Sequence, residues 1–170
     1  MGKFRGTWSF LLAGHLAAAV VFALPALASD SPADRATLRG LKEIHVTVEP
    51  LNPEVEKDGL TSSQLQFDIE ARLKKAGIAV ISNSAPYFLY VDANLMKVEG
   101  LSGVYVFNIL VSLQQPVGLI RSPDVSILAS TWDVATIGLT PIRQFKSFRE
   151  DLLGPLVDKF INAYLAENPK

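Results

Sequence analysis

Hydrophobic and polar residues alternate with two different periods along this chain, and the points where the period changes mark its elements. Ile44, Val46 and Val48 alternate with His45, Thr47 and Glu49, the period-two pattern of a half-buried strand. Residues 50–59 (PLNPEVEKDG) read as a loop. The period then lengthens. Leu65, Ile69, Leu73 and Ala76 fall at i, i+4, i+8 and i+11, one apolar stripe along a helix. Both ends of that helix are marked. Thr61 can cap the first turn, Gln64 completes a capping box, and Leu60 and Leu65 form a hydrophobic staple. Lys74 and Lys75 suit the negative end of the helix dipole. Gly77 then supplies a left-handed residue, after which Ile78 can fold back on Leu73. Residues 78–81 read as a short apolar strand.

Three longer strands follow a turn at 82–86. Tyr87, Leu89, Val91, Ala93 and Leu95 make one apolar face, opposite Phe88, Tyr90, Asp92, Asn94 and Met96. Residues 99–103 (EGLSG) read as a hairpin loop. The next strand sets Tyr105, Phe107, Ile109, Val111 and Leu113 against Val106, Asn108, Leu110, Ser112 and Gln114. Pro116 marks its end or a sheet edge. After a turn at 121–124 (RSPD), residues 127–137 form a strand with apolar residues on both faces, so its pattern does not choose an inward side. Thr140-Pro141 reads as a helix start. Its stripe is Phe145, Phe148, Leu152, Leu156, Phe160 and Tyr164, broadened by Leu153, Val157 and Ile161. Pro155 lacks an amide donor and would clash with the preceding turn, so Gly154-Pro155 predicts a kink or two abutting helices.

Short connections between the long strands predict an antiparallel meander, while strand–helix–strand predicts a parallel pair. The fold class is therefore α+β in two layers: one mixed, mostly antiparallel sheet of about five strands, with two helices on one face. Its expected core is Ile44, Val46, Leu65, Ile69, Leu73, Leu89, Val91, Phe107, Ile109, Val111, Phe148, Leu156 and Phe160.

The first 28 residues have a different character. Lys3 and Arg5 precede an uncharged apolar run over 9–24, Pro25 breaks it, and Ala26-Leu27-Ala28 matches a small-x-small cleavage signal. We read 1–28 as a signal peptide cleaved after Ala28, 29–42 as a flexible polar lead-in, and 43–170 as one domain. The expected location is the periplasm, with no membrane span left after cleavage. Cleavage removes two of sixteen cations and none of seventeen anions, so the formal charge falls from −1 to −3. That is no footprint for nucleic acid. With no cysteine in the chain, disulfides and a lipidated cysteine are both excluded, and the core alone must hold the fold.

The helix ending Leu73-x-x-x-Gly77-Ile78-x-Val80, the following Tyr87-x-Leu89-x-Val91 strand, the long amphipathic hairpin and the terminal helix together carry a resemblance. The pattern resembles small bacterial envelope modules: the amino-terminal domain of TolB-type Tol–Pal proteins and the LptE-type lipopolysaccharide assembly proteins. An exported bacterial α+β family distinct from both fits it too. The resemblance implies an envelope domain of this fold. It rests on core and cap residues and carries no functional residue across. The chain lacks the lipidation cysteine of the LptE type and the propeller that follows in TolB.

Candidate chemistry is sparse. After cleavage one histidine remains, His45, with Glu49 on the same strand face. Acids at 54, 56 and 58 do not match a calcium loop, Gly100 to Gly103 lacks the basic flanks of a nucleic-acid loop, and no serine sits in a G-x-S-x-G setting. We therefore expect no catalytic, cofactor or metal site. Phe88, Tyr90, Met96, Val106 and Leu110 share the sheet face away from the helices, and Trp132 joins them as a candidate partner surface. The leading expectation is a non-catalytic exported module that binds an envelope protein or an apolar ligand, in envelope assembly or maintenance. The alternatives are a small hydrolase or lyase using His45 with a carboxylate, and a structural homodimer through the outer sheet face.

Overall fold

Strand order in the computed structural model follows from which stretches of the chain bury one face and which bury both. The structure describes residues 30–82 and 85–169, and the backbone of residues 24–25. The rest of the expected signal peptide lies outside the described residues. The elements in chain order are β1 (Leu24–Pro25), α1 (Pro32–Ala36), β2 (Glu43–Val48), α2 (Pro53–Lys57), α3 (Ser62–Lys75) and β3 (Ala79–Ile81). Then come β4 (Phe88–Lys97), β5 (Val104–Leu119), β6 (Ser122–Pro141), α4 (Phe145–Ser147) and α5 (Gly154–Glu167). A single sheet runs β1-β6-β5-β4-β2-β3. β2 lies parallel to both β3 and β4, and β4, β5 and β6 form the expected antiparallel meander. The fold is thus α+β, five substantial strands with a two-residue bridge from β1 at one edge.

The stripe of α3 (Leu65, Ile69, Leu73) and that of α5 (Leu156, Val157, Phe160) share one core with the inward faces of β2, β4, β5 and β6. Every residue expected in the core is buried. Aromatic rings lock the two layers: Phe148 stands edge-on to Phe107 at 5.1 Å, and Phe160 to Trp132 at 5.3 Å. The ends of α3 form as the sequence predicts. Thr61 and Gln64 make the reciprocal capping box. Gly77, at φ 80°, lets the Ile78 amide donate to Leu73 O and the Gly77 amide to Lys74 O, both at 3.0 Å.

The structure changes or sharpens six local expectations. The loop at 50–59 contains α2, started by Asn52 and Pro53, and it packs Leu51 and Val55 into the core. The lead-in is docked, with Ser31 capping α1, Leu38 fully buried, and Arg39 paired to Glu167 at 2.7 Å. β5 continues through Pro116, which lies beyond the last β4 partner at Gln114, so a missing amide donor on the unpartnered side disrupts no ladder. The β5–β6 turn falls at residues 120–121, so Ser122 to Asp124 already belong to β6. At its other end β6 carries through Thr140-Pro141, and the terminal helix starts later. Finally, a π-helical turn over Phe148–Leu153 sets Pro155 in the first turn of α5, where no intrahelical donor is needed.

Candidate functional site

Because successive side chains on a strand point to opposite faces, the buried set on β4 and β5 fixes what the other face presents. Cross-strand register arranges that outer face in rows. At the hairpin end Met96 faces Val106, which faces Leu139, and the next row is Asn94, Asn108 and Ile137. Then follow Asp92, Leu110 and Ala135, and after them Tyr90, Ser112 and Asp133. Phe88 pairs with Gln114 on one side and with His45 of β2 on the other.

The six expected surface residues therefore divide. Met96, Val106 and Leu110 belong to one patch. Two β6 residues join them that the sequence pattern left unassigned, Ile137 and Leu139. Met96 is 63% exposed, Ile137 48% and Leu139 46%, whereas Val106 and Leu110 are half-buried. Phe88 and Tyr90 sit six or more residues along β4 from Met96, roughly 20 Å or more away. They are half-buried and belong to a polar end of the face.

Trp132 is not on this surface. It is fully buried on the helix side, where its indole Nε1–H donates to Asp30 Oδ1 at 2.8 Å. Arg35 holds the same carboxylate at 2.6 Å and, with the indole, keeps Asp30 below the usual carboxylate range. The lead-in thus serves the core beneath the sheet instead of covering its outer face.

The polar end is acidic. Tyr90 OH donates to Glu49 Oε2 at 2.9 Å, and burial, aided by that acid, pushes the phenol up to about 12. Asp92 is raised above the usual carboxylate range by burial first and by Glu49 second. His45 does not join this group. Its Nδ1 lies 3.2 Å from the Ile81 carbonyl oxygen, which can only accept, while Glu49 is engaged by Tyr90. The structure does not make the His45–Glu49 pair on which the hydrolase or lyase alternative drew.

A groove of about 820 Å³ lies on the opposite layer, between α3 and the terminal helix. Arg149 reaches Asp68 at 2.6 Å and Arg72 reaches Asp158 at 3.0 Å, so each arginine bridges the two helices. Arg72 lies so close to Gly154 that a Cβ there would meet its guanidinium at 2.4 Å. The two Arg–Asp pairs across this groove tie the helices together, which makes it a clamp between them. Of the loop acids, Asp58 accepts from Tyr105 OH at 2.6 Å, a bond that holds its carboxyl below the ordinary range, while Glu54 and Glu56 are exposed. Among the described residues no three His, Cys, Asp or Glu side chains gather as metal ligands, and no helix is long and apolar enough to cross a membrane.

No family model matches the chain, and no curated protein does. Among solved structures it is similar to the PelC dodecamer of Paraburkholderia phytofirmans, with 12% identity over 82% of this chain and 95% of that one, at a TM-score of 0.40. At that score nothing of that protein's assembly is carried over to this chain.

Proposed function

We propose that this chain is a non-catalytic, exported envelope module whose outer sheet face binds a protein partner. The observation that carries the reading is the patch of Met96, Val106, Leu110, Ile137 and Leu139, over which no described element packs. An antiparallel sheet can leave one face to water, but such a face is then polar along its length. Here Met96, Val106, Ile137 and Leu139 adjoin one another, with Asn94, Asn108 and Asp92 beside them and Leu110 beyond Asn108, the mixture of apolar and polar side chains found in recognition surfaces. The leader pattern at 1–28 supports an envelope partner. Met96→Asp with Leu139→Asp puts two charges into the patch at exposed positions. Cross-linking in the envelope is expected to capture a defined partner with the native chain and none with this variant, at an unchanged Tm. Equal capture by both, or a Tm loss of several degrees in the variant, would overturn the proposal.

A further inference from the structure

Past the last β4 partner the β5–β6 pair runs on as a two-stranded arm, residues 115–119 against residues 122–129. Apolar side chains occupy both of its faces. Leu128 pairs with Pro116 on one, Ile127 with Val117 on the other, and Ile120 at the tip is 100% exposed. Both of its edges are open among the described residues. β4 ends opposite Gln114, and β1 meets β6 only at Thr136 and Ile137.

This combination selects the occupant. Lipid would leave both open edges without hydrogen-bond partners, a state that strands in hydrocarbon do not adopt. Arg121 and Asp124 at the tip would also enter the apolar phase. A flat protein surface would cover only one face. A strand laid along the edge answers the unpaired amides and carbonyls and extends both apolar faces. β3, at the far edge of the sheet, has three residues and is too short to supply it. Residues 122–130 of β6 are long enough, and the register shift near Gln114 lies at their end. Two copies paired antiparallel about Ser126 set Val125 of each against Ile127 of the other; paired about Ile127, they set Ile127 against its own counterpart and Val125 against Ala129 on the same face. Asp124, the one charge in the stretch, then lies away from its copy, so no like charges meet.

We propose that the edge of β6 over residues 122–130 joins two copies of this chain into one continuous sheet through an isologous antiparallel contact. Self-association here is independent of partner binding on the outer face.

The absence of cysteine permits a direct test. Single cysteines are placed in turn at 124 to 129 in the full chain and oxidised, and association is followed by sedimentation over rising concentration. Residues facing each other across antiparallel strands have Cα atoms about 4.5–5.5 Å apart, within disulfide reach. The expected result is a dimer, cross-linked through Ser126→Cys or Ile127→Cys, with cross-linking lost at Asp124→Cys and Ala129→Cys. Ile127→Lys with Leu128→Lys should leave a monomer with an unchanged circular dichroism spectrum. A monomer at every concentration, cross-links that do not centre on 126–127, or a dimer dissolved by Met96→Asp instead would each overturn the proposal.

Discussion

Gly77 and Gly100 take nearly the same backbone angle, φ 80° and 78°, yet they carry different loads. Gly77 closes α3 through two amide bonds and delivers Ile78 to the core, whereas a Cβ on Gly100 would meet nothing within 4 Å. Left-handed backbone costs a side chain about 1–2 kcal/mol at either site. Gly77→Val should exceed that cost and lower the Tm more than Gly100→Ala does, measured by thermal unfolding. Asp92 makes a prediction of opposite sign. Its folded pKa is raised, so the charged form burdens the fold at neutral pH, and the burden disappears as pH falls through the folded pKa towards the ordinary 3.8. Asp92→Asn should therefore raise the Tm at pH 7, with the gain fading as pH falls through the raised folded pKa and gone below about pH 4. A gain that persists at pH 3 would assign it to another cause.

Helix α3 holds its two ends by local chemistry, and its cap should be separable from its packing. Thr61→Ala removes the bond to the Gln64 amide and should cost about 1 kcal/mol in urea unfolding with an unchanged m-value. The terminal helix shows the reverse dependence. Its proline predicts an interruption, and the chain answers with a π-helical turn that keeps Phe148 on Phe107 and Phe160 on Trp132. Core positions decide its register, so Phe148→Ala should cost about 3–5 kcal/mol. Trp132 emission would follow that loss, because the chain's other tryptophan is Trp8 in the leader stretch.

Across the whole molecule, one sheet separates two surfaces of different composition. The helix side is sealed by aromatic packing and by the docked lead-in, with Asp30 and Arg39 tied to Trp132 and Glu167. The outer side keeps an apolar patch, and the arm extends that exposure beyond the core. Substitutions on the two sides should behave oppositely. Phe107→Ala should cost about 3–5 kcal/mol, whereas Met96→Asp with Leu139→Asp should leave unfolding nearly unmoved because both side chains already meet water.

The sequence alone determined what depends on period and on residues within one turn of each other: α3 with its caps, the faces of β4 and β5, the core list, and the α+β layering. These follow from steric rules and burial patterns that need no distant partner. Short elements escaped it. The five residues of α2 are too few to show a helical period, although Asn52-Pro53 carried the start signal. β6 escaped for another reason. Apolar residues on both of its faces leave its own pattern silent, and only pairing with β5 turns Trp132 inward and sets Ile137 and Leu139 beside Met96 and Val106. The candidate surface is composed across three strands, and register between strands is a property of their contact, so only the tertiary structure could assemble it.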